Sequence, residues 1–219
     1  MVQKSVEAAA PEAKRRGRPR SYEPDVALRQ AMEAFWKTGY AATSLDDLSA
    51  ATGMNRPSLY AAFGDKQDIY VKAYRRYRAQ MRDAFLPILT ADAPVRAVLR
   101  KTFEMASEVY LAGPDGPRGC FSVVTAGSEA IADPEIRRQV NEAIASLDEG
   151  FAALFARAMA RGELSSDADA AALAKIATAT IHTLAIRARL QAQRSELRVL
   201  IDAGVAVICG PENNSKRSK

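Results

Sequence analysis

The densest chemistry in the chain is a basic run near its N-terminus, Lys14-Arg15-Arg16-Gly17-Arg18-Pro19-Arg20. Gly17 has no side chain and Pro19 holds the backbone extended, so the arginines flank a narrow strand. Such a strand fits the minor groove of A·T-rich DNA, where the negative potential is strongest, and Arg18 and Arg20 are its candidate groove contacts. A solubilising tail has the same composition, and residues 1–13 show no amphipathic period. The formal net charge of +5 is unevenly spread. Residues 1–20 carry six Lys or Arg against two Glu, and residues 211–219 carry three basic residues against Glu212. The stretch between them holds 22 basic and 23 acidic residues, so the basic character belongs to the tails.

Catalytic and metal chemistry have little to work with. Cys120 and Cys209 lie far apart without a Cys-x-x-Cys pairing, and His182 is the one histidine. A structural zinc site takes four such ligands, so neither a metal nor a disulfide framework is expected. No Gly-rich phosphate loop or nucleophile elbow is present, and nothing calls for a cofactor. His182, between Ile181 and Thr183, reads as a pocket or core residue rather than a catalyst. The longest run without Lys, Arg, Asp or Glu is Ile176–Ile186, eleven residues, whereas a bilayer span needs about 20. With no secretory signal at the N-terminus, a cytoplasmic protein without membrane attachment is expected. The 219 residues, 48% hydrophobic and 26% charged, suffice for one compact domain or two small ones.

The elements that must position these residues read as helices throughout. Pro24 and Asp25 suit a first turn, Leu28, Ala31, Met32 and Phe35 repeat at three and four, and Gly39 sits where a C-terminal cap belongs. Ser44 with Asp47 three residues on opens a short second helix that stops at Gly53. Asn55 caps a third, with Pro57 in its first turn and Leu59 and Phe63 inward. A short helix, a tight glycine turn and a second short helix form a helix-turn-helix over about 44–63. Asp65 then caps a long helix from Lys66 to Leu89 carrying Tyr70, Tyr74, Tyr77, Met81 and Phe85 on its apolar side. Arg75, Arg76, Arg78 and Arg82 occupy its other faces and read as a solvated charged surface.

The run Gly39-Tyr40-Ala41-Ala42-Thr43-Ser44-Leu45-Asp46-Asp47-Leu48, followed by Thr52-Gly53-Met54-Asn55-Arg56-Pro57-Ser58-Leu59-Tyr60-Ala61-Ala62-Phe63-Gly64-Asp65-Lys66, resembles the TetR family of transcriptional regulators. The Gly-Tyr pair, the Ser-Leu-Tyr-x-x-Phe core and the Asp-Lys that follows carry the likeness, over about 50 residues. The resemblance implies a dimeric regulator, a ligand-responsive repressor bound to a palindromic double-stranded operator. The third helix would enter the major groove, with Arg56 and Ser58 facing base edges and Pro57 against a thymine methyl. It would also set Tyr60, Ser44 and Lys66 at backbone phosphates. Asp46 departs from the pattern, since that position is basic in some members, and no base contact is assigned to the second helix.

Beyond Leu89 the chain reads as further helices over Val95–Leu111, Cys120–Ile131, Pro134 to about Arg161, Ser166 or Asp167 to Arg189, and Leu197–Ile208. An all-α fold results: a basic arm (1–20), a three-helix DNA-binding domain (21–66), a helical effector-binding and dimerisation domain (67–210) and a tail (211–219), both ends being disordered. Small residues Ala170, Ala171, Ala174, Ala177, Thr178, Ile181, Ala185 and Ala188 line much of one helix. They would let it pack closely against a symmetry mate in a four-helix dimer interface, or equally against neighbours within the protomer. A small-molecule effector is expected in the body, with Phe103, Tyr110, Phe121, Phe151, Phe155 and His182 as candidate lining. Gly119-Cys120 opens a helix with Arg118 two residues away. A helix N-terminus and a cation both favour thiolate, so Cys120 is a candidate oxidant or electrophile sensor of the kind a subset of the family uses. A buried, inert thiol is the alternative. Two other classes compete with the regulator, an enzyme and an architectural DNA-binding protein, the latter having no use for so large a helical body.

Overall fold

The computed structural model describes residues 23–114 and 116–211, and every regular element in them is helical. The all-α expectation holds. Arg18 and Arg20, with the rest of the 1–20 arm, and residues 212–219 of the tail lie outside the described residues. Three short helices come first: α1 (Pro24–Thr38), α2 (Leu45–Thr52) and α3 (Arg56–Phe63). Then follow α4 (Lys66–Leu89) and α5 (Val95–Leu111), a π-helical turn (Ser122–Ala126) running into the single-turn α6 (Gly127–Glu129), α7 (Pro134–Ala160), α8 (Ala170–Arg189) and α9 (Arg194–Cys209).

The second and third helices are fixed at their first residues. The Ser44 hydroxyl accepts from the Asp47 N–H at 3.1 Å, and the Asp47 carboxylate accepts from the Ser44 N–H at 2.8 Å, a reciprocal capping box. Gly53 ends α2 at φ 66°, a left-handed conformation that costs glycine nothing and lets α3 leave at a steep angle. The Asn55 side chain accepts from the Ser58 N–H at 2.9 Å and opens α3. Phe35, Leu48 and Leu59, fully buried, and Phe63 make the small core that holds these helices together.

That core continues into the body through aromatic rings. Phe121 packs against Trp36, Tyr70, Tyr74 and Tyr77, with centroids 5.4–5.9 Å apart. Removing such a ring costs about 3–5 kcal/mol, so this cluster ties head to body. Polar contacts reinforce it. Arg118 grips Glu33 at 2.7 and 2.9 Å and lies 3.9 Å over the Trp36 ring, while Arg189 donates to the Lys37 carbonyl at 3.0 Å. In the body, Phe103, Phe151 and Phe155 stack inside α5 and α7. Gly204 of α9 meets Thr180 of α8 so closely that a Cβ there would lie 2.9 Å from Thr180 Cγ2. A larger residue would force Thr180 to shift.

Several boundaries differ from the sequence reading. Helix α8 starts at Ala170, because Asp169, rather than Ser166 or Asp167, accepts from the Ala171 and Ala172 N–H groups. Helix α9 starts at Arg194: its first turn is polar and exposed, so the apolar period begins only at Leu197. The expected helix over Cys120–Ile131 is a π-helical turn with a short α-helical end.

The alanine stripe of α8 also needs correction. Ala174, Ala177, Thr178, Ile181, Ala185 and Ala188 are buried within the protomer. The exposed face is a different stripe, Ala172, Ile176, Ala179, Ile186 and Leu190 with Thr183 half-buried among them, spaced alternately by four and three residues. Helix α9 adds Val199, Ala203, Ala206 and Val207 to the solvent side. Apolar residues at this spacing are the seam of helix-to-helix packing.

Candidate nucleic-acid interface and internal cavity

Helix α3 divides its residues cleanly. Leu59 and Phe63 point into the core, while Arg56, Pro57 and Tyr60 stand on the outside with Ser58 half-buried beside them. Tyr60 is 48% exposed, unusual for an aromatic residue and no help to packing. The Arg56 guanidinium forks onto Asp46, with Nε 2.8 Å and Nη2 2.5 Å from its two carboxylate oxygens. The bond holds the Asp46 carboxyl below its usual range and the guanidinium above its own. Both groups are exposed, and such a pair is weak enough to exchange partners. Asp46, a departure from the family pattern, is thus the residue that aims Arg56 before any ligand arrives. Sequence reasoning had found no role for it.

Two other expected contacts have prior engagements. The Ser44 hydroxyl donates to Asp47 at 2.6 Å, so its proton serves the cap of α2. Lys66 is half-buried, its ammonium 4.4 Å over the Tyr40 ring, which itself packs on Phe35 and Tyr70. That contact holds Lys66 at the start of α4, next to the end of α3. Gln67, one residue on, donates to Asp133, which caps α7. The N-terminus of α4 is therefore wired both to the head and to the body.

A cavity of about 470 Å³ opens between α4 and α7 and reaches α8 and the loop before the π-helical turn. Tyr110, His182 and Cys120 stand on its wall. Phe103, Phe121, Phe151 and Phe155 do not: they are fully buried against one another and their neighbours, and their inward direction leads to core rather than to space. Sequence reasoning missed Arg75, Arg78 and Arg82, which line the cavity instead of forming a merely solvated face. A helical period can say that they share a side of α4, but not that α7 leaves a gap opposite. Burial pushes the His182 pKa down, against a nearby Asp148 that raises it, favouring the neutral imidazole.

Cys120 is 6% exposed, with its sulfur 3.1 Å from the Tyr77 hydroxyl. The phenols of Tyr77 and Tyr110 both lie against this thiol, and burial pushes both well above their ordinary pKa. The cation expected beside Cys120 is committed elsewhere, since Arg118 binds Glu33. Cys209, half-buried on α9, has its pKa raised by burial.

Two family models match the chain. One, described as bacterial regulatory proteins of the tetR family, covers residues 27–73. The other, a tetracyclin repressor-like C-terminal domain, covers residues 96–203. Among curated proteins the chain is similar to the uncharacterized HTH-type transcriptional regulator YezE of Bacillus subtilis, 28% identical over 88% of this chain and 99% of that one. It is also 30% identical to the HTH-type transcriptional repressor ComR of Escherichia coli, over 91% of this chain and 94% of that protein. Among solved structures it resembles a cysteine mutant of the TetR family transcriptional regulator CifR complexed with a 26-base-pair double-strand operator DNA. That likeness has a TM-score of 0.77 and 27% identity, over 86% of this chain and 98% of the other.

Proposed function

This chain belongs to the TetR family of bacterial regulatory proteins, and from that membership we propose a dimeric repressor that reads a palindromic operator and releases it when a small molecule enters the body. The observation that carries the reading is the outer face of α3. Arg56, Pro57 and Tyr60 are exposed there around an aimed guanidinium, at the free side of a helix held by two caps and by the small core under it. Arg56 bonds O6 and N7 of a guanine, Ser58 faces a neighbouring base edge, and Pro57 meets a thymine methyl. Tyr60, Ser44 and Lys66 hold the phosphate backbone, and Arg18 and Arg20 reach the adjoining minor groove. Residues 21–66 act as the reading domain and 67–210 as the effector and dimerisation domain. The exposed stripes of α8 and α9 support a four-helix interface with a second copy, which gives the two reading heads their two-fold symmetry. The chain so read works in the cytoplasm as a binding protein and performs no catalytic step.

Selection of bound duplexes from random DNA tests this. A palindrome with half-sites about 10 base pairs apart, or a multiple of that, supports the reading, and sequence-independent binding would make the chain an architectural protein instead. Deleting residues 1–20 should flatten the salt dependence of operator affinity, since that arm carries six basic side chains. A second reading, in which Cys120 senses electrophiles, is favoured by one observation: Cys120, though buried, is one of the residues that line the cavity.

A further inference from the structure

The cavity beside α4 is electrostatically one-sided. Arg75, Arg78 and Arg82 stand on its wall at successive turns of one helix face, and among the described residues no Asp, Glu or Lys lines it. Its other polar side chains are two tyrosines, two serines, Cys120 and His182, whose pKa burial pushes down. The remainder is apolar, with Met81 and Phe85 of α4 across from Ile144 and Leu147 of α7. The acids that balance the arginines stand off the wall. Glu142 takes Arg78 at 3.0 Å and Glu135 takes Arg75 at 2.9 Å, while Arg138 draws on both carboxylates. Three guanidiniums thus share two carboxylates. Among the described residues Arg82 pairs with its chain neighbour Asp83, at 3.1 Å.

Resting on the reading of this body as an effector domain, we propose that the cavity takes a small organic carboxylate with an apolar body, which replaces Glu142 on Arg78. Arg78 is the most sheltered of the three arginines, its side chain 25% exposed. A guanidinium recognises a carboxylate by paired, charge-assisted hydrogen bonds. The hydrocarbon part then lies between Met81, Phe85 and Leu147, and the volume is within the range of small-molecule sites. A cation meets three arginines and is repelled. A neutral molecule leaves Arg78 on Glu142 and gains only apolar burial.

The exchange has a structural consequence. The Arg78–Glu142 bridge fastens α4 to α7, and α4 begins at Lys66 beside the reading helix, about 18 Å away by helical rise. A ligand that binds better once the bridge has opened favours the conformers in which α4 is held less tightly to α7. Ligand and operator then influence each other through that one helix, by equal factors.

Calorimetry on the full-length protein with octanoate, 1-octanol and octylamine tests the class, in the wild type and in Arg78→Gln and Glu142→Gln. Octanoate should bind roughly tenfold tighter than 1-octanol, about 1.4 kcal/mol, with octylamine weakest. Glu142→Gln should tighten octanoate several-fold, because the competing carboxylate is gone, and leave 1-octanol unchanged. Arg78→Gln should bring octanoate down to the level of the alcohol. If that variant fails to fold, the Glu142→Gln result and the probe series still decide. Octanoate no tighter than 1-octanol, or unaffected by Glu142→Gln, overturns the proposal. Operator binding measured in parallel separates this from the reading it rests on. A chain that binds a palindrome yet prefers the alcohol loses only the anion, whereas one that selects no palindrome loses the regulator even if octanoate binds as expected.

Discussion

In the reading head, residues 24–63, α2 and α3 are set by their first residues; in the body, residues 95–209, α5 and α9 are set along their lengths. Ser44, Asn55 and Asp65 cap three consecutive helices within 22 residues, and each cap is a local hydrogen bond. The long body helices α5 and α9 begin with no side-chain cap, as α1 does in the head, and their positions come from packing over several turns; Asp133 and Asp169 cap α7 and α8. The functional consequence follows the same division. The head works with side chains left over on an outer face once a small core is satisfied. The body works with a gap that its core fails to fill, and with a face that packing leaves bare.

The largest expected effect strikes the bare face. Ile176→Asp combined with Val199→Asp alters two exposed residues, 40% and 69% accessible, on the proposed dimer seam. The double variant should keep its helix content, sediment as a monomer and lose operator affinity by roughly a hundredfold or more, because one reading head meets one half-site. Ala177→Asp, on the buried face of the same helix, should instead unfold the protein, since it buries an unpaired charge. If the double variant stays dimeric, the interface lies elsewhere.

Next comes the head. Arg56→Ala should lower operator affinity by roughly tenfold to a hundredfold and relax preference at one base pair. Asp46→Asn, which releases the guanidinium from its fork, should raise affinity for unrelated DNA and so narrow the ratio between specific and non-specific binding. Equal loss on all sequences from Arg56→Ala would make that arginine a phosphate contact only.

The two regions were unequally legible in the sequence. Caps, the Gly53 turn and the inward Leu59 and Phe63 can be read directly, because each depends on residues three or four apart. The start of α8 could not, since Asp167 and Asp169 offer equivalent caps and tertiary packing chooses between them. The alanines of α8 suggested a close helix partner, and there is one, but it lies inside the protomer: small residues announce proximity without saying to what. The four phenylalanines expected around the effector illustrate the same limit. Those four are drawn to the densest core, and the cavity is walled instead by arginines, a half-buried histidine, Phe85 and two phenols. A void is a property of several helices at once.

A smaller effect is expected at Lys66. Lys66→Ala should weaken operator and unrelated DNA alike and reduce the salt slope by about one, because a phosphate contact carries no base information. The Tyr40 ring beneath its ammonium keeps it in place, so Tyr40→Leu should produce part of the same loss without removing any charge. A change in base preference from either variant would mean that the start of α4 alters the angle of α3, and head and body would then be less independent than their capping suggests.

The smallest expected change in untreated protein concerns Cys120, where the comparison between an exposed group and a cavity group becomes chemical. Cys209 is partly accessible from outside, but burial raises its pKa, which lowers its thiolate fraction. Cys120 lines the cavity and has the hydroxyl of Tyr77 beside its sulfur. Iodoacetamide is small enough to enter such a space, where the sulfur displaces iodide, a carbon–sulfur bond forms and the thiol proton passes to solvent. Mass spectrometry should show Cys120 modified faster than Cys209, and octanoate should slow the first reaction without touching the second. Modification should release operator, and Cys120→Ser should bind operator normally before treatment and keep it afterwards. Release that persists in Cys120→Ser would assign the effect to another residue and return Cys120 to the packing of Tyr77 and Tyr110. Slow labelling that octanoate does not alter would mean that the sulfur, though on the wall, is closed off by those two phenols.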